Sequence, residues 1–596
     1  MKNIFKLLAF LPLLTACDDL FEPALENNRD LEAMYKEPSY AQGILANAYI
    51  ILPYETSPTS DLATDDAVTN EISSNYLRMA TGSWTANNNP VSQWQNRFNA
   101  IQYINLFLEN VDKVEWAKDE RISTMFLDRL KGEAYGLRAL HMYYLLRAHG
   151  GKIADGTLMG VPIILKSEGP DADFNHARAT YSDCVKQIME DADKAIELLP
   201  LDYKKFADSE IPEKYKNIGV TNASDYRRVC GEEYRGLMSG RIALAVRAQT
   251  ALLAASPAFQ SGSGMTWEQA ADYAAEIIEK ANGGGGCGLD ADGLEWYTLA
   301  SDKDYGTGGS PAEVIWRSST DDNNTLETAN FPPSLYGNGR VNPTQNLVDA
   351  FPMANGYPIS ETSGNYDAEN PYDNRDPRLA KYIVYNGSKQ GPSDTEIITG
   401  TYGTNTDVVN KESGRSTRTG YYLRKLLRKE CNPNSQYNTK KKHYTARIRY
   451  TEMFLIYAEA ANEAWGPQNN HGHLFSAYDV IKAIRTRAGL GIDNGDAYLE
   501  SIKDNKDKMR ELIRNERRIE LCFENFRFWD LRRWNVDLTK LNETALGVEI
   551  SKNGSVMNYS PLTVEKRKYE EYMIYGPIPF AEVMKWSNLE QNVGWK

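Results

Sequence analysis

The chain has 596 residues, of which 41% are hydrophobic and 25% charged, an ordinary globular composition with room for one large domain or several smaller ones. Its formal net charge of -14 repels polyanions. The richest arginine segment, RNERRIELCFENFRFWDLRRW at 514–534, sets Glu516, Glu520, Glu524 and Asp530 among its arginines, whereas a phosphate clamp needs basic residues without intervening acids, so nucleic acid is set aside as a partner.

The N-terminus reads MKNIFKLLAFLPLLTAC. Lys2 and Lys6 precede an apolar run from Leu7 to Leu14 that is too short to span a bilayer, the layout of a secretory signal peptide over residues 1–16. Leu14-Thr15-Ala16-Cys17 resembles a bacterial lipobox, which makes Cys17 the lipidation site and residues 17–38 a tether. Acyl chains there anchor a protein at roughly 0.8 kcal/mol per buried methylene without a transmembrane helix. No other segment reaches the roughly 18 apolar residues that a span needs.

Beyond the tether, helical periodicity dominates. It predicts helices over 39–49, 94–114, 121–151, 181–200, 239–257 and 267–284, with stops at Gly150-Gly151, Pro200 and the Gly283–Gly286 run. That glycine run lacks the Gly-Lys-Ser/Thr ending of a phosphate loop, and no cofactor is expected. Small residues recur on paired helices, as in Arg241–Ala255 followed by Trp267–Ala281, the texture of tetratricopeptide-like hairpins without a strict 34-residue period. From about 291 to 442 the chain turns rich in Gly, Pro, Asn, Asp, Ser and Thr, a loop-rich lobe of the kind that carries binding sites. Helices resume over 446–466 and 476–489 and through 514–534, where Ile519, Cys522, Phe523 and Phe526 fit one buried helical face, Glu520 can reach Arg517, and Glu524 can reach Arg527. The expected architecture is mostly α: a single domain over 39–596, with its helical scaffold at 39–290 and 443–534, the lobe between them and a C-terminal segment at 535–596.

Cys184, Cys230, Cys287, Cys431 and Cys522 are odd in number and widely scattered, so free thiols are expected in place of a disulfide framework or a zinc site. His471-Gly472-His473 is the one close histidine pair, and it reads as a solvated loop and not a metal site. No metal is expected, and no EF-hand spacing is present.

The 514–534 stretch resembles the C-terminal signature of the SusD/RagB family of Bacteroidetes-type outer-membrane lipoproteins. Further stretches agree in chain order: the Cys17 lipobox, RATYSDCVKQIMEDADKAIELLP from Arg178, PAEVIWR from Pro311, NPTQNLVDAFPMANG from Asn342, NRDPRL from Asn374, IRYTEMFLIYAEAANEA from Ile448 and the closing YGPIPFAEVMKWSNLEQNVGW. The resemblance implies four tetratricopeptide-like helix pairs under a variable lobe. It also implies an outward-facing, lipid-anchored protein of the cell outer membrane that captures a glycan or other oligomer as the lid of a SusC-like TonB-dependent transporter.

A glycan site combines exposed aromatics with amide or charged side chains on loops. The segment 61–90 offers Asp65, Asp66, Arg78, Trp84 and Asn87 to Asn89, and Trp84, Asn87 and Arg78 resemble the tryptophan, asparagine and arginine of starch-binding members. Tyr336, between glycine- and proline-rich neighbours, is a second candidate. Trp296 and Tyr297, ahead of a long polar loop, offer an extension of the aromatic arc, but apolar Leu294 and Leu299 beside them favour core burial. Trp94 and Trp316 are assigned to the core, and Trp529 and Trp534 to structure. Two other classes compete: a peptide-binding protein of the same architecture, and a secreted glycoside hydrolase, which would need a carboxylate pair with divergent environments. No Gly-x-Ser-x-Gly elbow or His-Glu-x-x-His helix is present, and a non-enzymatic protein is expected.

Overall fold

The computed structural model describes residues 35–281, 283, 285–299 and 311–596. The leader, Cys17 and most of the tether lie outside them.

Helices α1 (Pro38–Ile50), α2 (Trp94–Asn110), α3 (Glu120–His149), α4 (Tyr181–Leu198), α5 (Gly240–Ala255), α6 (Trp267–Ile278), α7 (Tyr450–Trp465), α8 (Ala477–Ala488) and α9 (Lys506–Glu520) pack in series, each against the one before, with α8 and α9 both on α7. Side-chain caps set where they begin. Asp119 accepts from the Arg121 amide at 2.9 Å and Thr180 from the Asp183 amide at 3.0 Å, while Thr266 and Gln269 close a reciprocal capping box. Alanines make the close approach possible: Ala243, Ala245, Ala248 and Ala251 of α5 and Ala270, Ala271, Ala274 and Ala275 of α6 are all buried. The expected helix over 446–466 starts only at Tyr450, because Ala446–Arg449 instead pairs antiparallel with Val314–Arg317.

Every sheet among the described residues is a two-stranded ribbon, and three ribbons join distant parts of the chain. Strand β1 (Ala67–Thr69) pairs with β4 (Val341–Pro343), β2 (Val314–Arg317) with β6 (Ala446–Arg449), and β3 (Asp321–Asn323) with β5 (Lys441–His443). A longer hairpin, β7 (Ala545–Asn553) with β8 (Val556–Glu565), follows near the C-terminus. The lobe has its own apolar core of Phe331, Leu347, Phe351, Leu379, Tyr382 and Tyr422, closed from outside by Ala67, Phe523 and Ile550. Trp94, Trp296, Trp316 and Trp534 are buried.

The 514–534 stretch is not one helix. Helix α9 ends at Glu520, the chain turns through left-handed Phe523 (φ 63°) and Asn525 (φ 65°), and α10 (Arg527–Arg533) follows. Asn525 makes the break worthwhile: its Oδ1 accepts from the Ser60 amide at 2.9 Å, its Nδ2 donates to the Ser57 carbonyl at 2.9 Å, and its own amide reaches Asp61 at 2.9 Å. The acids find tertiary partners accordingly. Glu520 pairs with Arg487 at 2.8 Å and Arg378 at 3.1 Å, not with Arg517, and Glu524 pairs with Lys425 at 2.7 Å and Arg449 at 2.8 Å, not with Arg527.

Candidate functional site

A cleft open to solvent lies where the two cores meet. It is lined by the strap after α1, with Tyr54 and Thr59, by Tyr297 and Tyr444 of the lobe with Thr445 beside β6, and by the turn Phe523–Phe526 and Trp529 of α10; Thr56 of the strap and Thr445 share a hydrogen bond at 2.9 Å. Half-buried Tyr54, Tyr76, Tyr297 and Trp529 give it aromatic faces. The guanidinium of Arg147 lies 4.3 Å from the centre of the Tyr144 ring and 4.4 Å from that of Trp529, so that one cation is shared by the two rings and steadies the indole.

Polar groups at its base are incompletely satisfied. Gln249 of α5 donates to Glu452 of α7 at 2.8 Å, yet Gln249 Oε1 and Glu452 Oε2 are buried without a protein hydrogen-bond partner, while the Tyr54 hydroxyl shares a hydrogen bond with Tyr144. Burial, opposed by Arg517, pushes the Glu452 carboxyl up to about 7. Such atoms carry a desolvation cost that a hydroxyl-bearing ligand or water offsets.

Behind this base runs a continuous buried series of ion pairs. It passes from Lys425 through Glu524, Arg449, Glu313, Arg487, Glu520, Arg378, Glu516 and Arg485 to Asp496, every link 3.2 Å or shorter. It stitches lobe, scaffold and α9 together. Although burial favours the neutral form, Arg449 and Lys425 hold Glu524 below the usual range, and Arg487, Arg378 and Arg449 bring Glu520 down to about 2.

The residues singled out in the sequence do not gather at this cleft. Trp84 is 2% exposed. Its ring packs at 4.9 Å from Trp595 and 5.7 Å from Phe528, under the Arg532 guanidinium at 5.1 Å, and its indole N–H donates to Asn89 at 3.0 Å. The expectation of an exposed, stacking Trp84 is therefore corrected: α10 and the C-terminal residues cover it. Asp65 is likewise buried, in a bidentate pair with Arg527 at 2.8 and 2.9 Å, with Arg518 at 3.1 Å and Lys540 at 2.8 Å, which hold its carboxyl well below the usual range against the effect of burial. It has no capacity left for a ligand. Arg78 and Asn87 are exposed, on the segment whose Tyr76, Val91 and Gln93 line the cleft, though neither lines it. Tyr336 is 57% exposed in a left-handed conformation (φ 66°) and also stands apart from the lining.

Tyr54, Gln249, Glu452 and Trp529 are the site residues that sequence reasoning missed, and Tyr297, weighed with Trp296 for an aromatic arc, reads from the sequence as core. Gln249 and Glu452 sit within helical patterns that read as scaffold. Tyr54 did carry a signal, an aromatic in a Pro-Tyr-Glu-Thr-Ser-Pro strap between helices.

Among the described residues no helix is long and apolar enough to cross a membrane. A family model described as "SusD family" matches residues 312–595, and one described as "Starch-binding associating with outer membrane" matches residues 25–214. Among solved structures, a SusD-like protein of Bacteroides fragilis superposes with a TM-score of 0.71 at 20% identity, covering 96% of this chain and 100% of that one. A SusD-like carbohydrate-binding protein of the same species gives 0.67 at 21% identity, covering 94% and 100%. The curated SusD-like protein P38 of Formosa agariphila is 34% identical over 89 residues, 15% of this chain; the chain spans only 16% of that relative's length.

Proposed function

The chain belongs to the SusD/RagB family, and from that premise we propose that it captures a glycan or oligosaccharide in the aromatic cleft and passes it, unaltered, to a SusC-like TonB-dependent transporter in the outer membrane. The observation that carries the reading is the cleft itself: half-buried aromatic faces share it with buried Gln249 and Glu452 oxygens that lack protein partners. Sugar rings present apolar C–H faces to the first set and hydroxyls to the second. We assign Trp529 and Tyr297 to stacking, Gln249 and Glu452 to hydroxyl recognition, and anchoring to lipid on Cys17. Exposed Arg78, Asn87 and Tyr336 are candidates for contacts with longer oligomers beyond the cleft.

Hydrolysis would pair Glu452, whose carboxyl burial raises to about 7, with an ionised carboxylate across the cleft. The adjacent candidate, Glu524, has both oxygens engaged by Arg449 and Lys425, which makes it a weak base; the other lining carboxylate, Glu55, is exposed on the strap and accepts from the Thr59 hydroxyl. The test is a binding screen of the full chain against polysaccharides, oligosaccharides and peptides, with products monitored in the same wells. Saturable binding of one glycan class without turnover is expected. Turnover would replace the proposal with an enzyme, and selective peptide binding would replace the cargo.

A further inference from the structure

Within the lobe three side chains from separate segments converge: Glu327 of the short helix Thr325–Asn330, Cys431 just before the Asn432–Thr439 bridge, and His443 of β5. All three are buried, and one donor atom from each lies within 4.8 Å of the others. We propose that Glu327, Cys431 and His443 form a zinc-binding site that goes beyond the glycan-binding function.

The geometry of His443 is the first argument. Its Nδ1 lies 2.7 Å from the Lys441 carbonyl and its Nε2 3.0 Å from a Glu327 carboxylate oxygen, so both ring nitrogens face acceptors. A neutral imidazole has one N–H to offer. The ring is a buried imidazolium, or it accepts at Nε2 a proton carried by Glu327, or the Nε2 lone pair holds an ion; a carbonyl accepting from Nδ1 is the arrangement that orients a metal-binding imidazole. Glu327 supplies the second argument. Its Oε1 is engaged by His443 and by the Arg428 amide at 2.7 Å, and its buried carboxylate also takes the hydrogen bond of the Cys431 thiol, so all three side chains are turned on one another.

Size and charge then select the ion. Tetrahedral zinc with ligands at 2.0–2.3 Å needs donor atoms roughly 3.3–3.8 Å apart, which this group meets with a contraction of less than about 1.5 Å. A thiolate, an imidazole and a carboxylate are a zinc donor set, and a dication balances Cys431 as thiolate and Glu327 as carboxylate. On binding, the Cys431 thiol and the imidazolium each release a proton to solvent, and three protein ligands leave one coordination position to water. The Arg428 guanidinium, a nearby cation, bonds Glu430 at 3.4 Å and the Lys442 carbonyl at 3.3 Å, and its charge also acts on Cys431 and His443. An ion here would clamp β5, the Cys431 turn and the Thr325–Asn330 helix together, and with them His443 and Tyr444, which line the cleft.

The test uses the full chain stripped with a chelator and titrated with zinc against a chromophoric competitor. One equivalent is expected to bind with a dissociation constant below about 1 μM, and C431S and H443Q should each weaken it at least tenfold. Cobalt substitution should give a thiolate-to-cobalt charge-transfer band that is lost in C431S and kept in C287S, the control at another cysteine. Zinc should raise the melting temperature of the wild type and not that of C431S. Binding of less than half an equivalent at about 10 μM zinc, or the absence of the cobalt band in the wild type, would overturn the proposal whether or not the variants fold.

Discussion

Glu520 and Glu452 are both buried glutamates, on helices that pack against each other, and they titrate in opposite directions. Glu520 lies in the ion-pair series, where Arg487, Arg378 and Arg449 outweigh burial and bring it to about 2; Glu452 lies at the cleft base with Gln249 as its hydrogen-bond partner, and burial takes it to about 7. The difference teaches where this protein holds its shape and where it has capacity to bind. A region whose charges are matched is structural, and a region whose polar atoms are left over is available to a ligand.

The comparison is broken most severely at Glu520. Replacing it with alanine strands Arg378 and Arg487 and should cost about 3–5 kcal/mol in chemical denaturation. As pH falls from about 4.5 toward 2, the wild type should lose the same contribution as Glu520 takes up its proton, because its folded pKa is the lower one. Trp84→Ala should cost a similar 3–5 kcal/mol through the cavity left among Trp595, Phe528 and Tyr569. A fully stable W84A protein with impaired glycan binding would return Trp84 to the site.

Glu452 sharpens the contrast through the opposite sign. Its folded pKa is raised, so the folded state holds the proton more tightly, and stability should decline as pH rises from about 4.5 to about 7. Comparison of Glu452→Gln with wild type across that window should isolate a swing on the order of 3 kcal/mol, absent from the variant. Equal pH profiles for the two proteins would place the Glu452 carboxylate in a solvated, matched setting.

Smaller effects belong to the cleft surface. Trp529→Ala should weaken glycan affinity about tenfold or more in calorimetry, with a loss of stability below that of W84A since its ring is only half-buried. Tyr336→Ala should stay within about 0.5 kcal/mol of wild-type stability. Any loss of affinity for long oligomers, with none for short ones, would extend the site from the cleft to the lobe surface.

The fold was largely legible. Helical periodicity and punctuation located α1 to α6 to within a few residues at most ends, since an amphipathic helix writes its buried face into local spacing and its caps into adjacent residues. The candidate site was not. Trp84 sits among asparagines and glycines that read as an exposed loop, and its burial depends on Trp595 and Phe528, more than 400 positions away. The 514–534 stretch read as one helix because its apolar spacing is helical, while the break after Glu520 serves contacts of Asn525 with Ser57, Ser60 and Asp61 that no local pattern encodes.

By itself the sequence determined the mostly α class, the run of helices with a loop-rich lobe between them, the family and the expectation of free thiols. These rest on short-range periodicity, composition and the joint occurrence of motifs. Only the tertiary structure decided which charges are matched, which aromatics are covered, and that Tyr54, Gln249, Tyr297, Glu452 and Trp529 share one cleft while Glu327, Cys431 and His443 share one pocket of the lobe. Burial and partner choice are properties of surfaces brought together across hundreds of residues, and their energies do not exist until the chain has closed on itself.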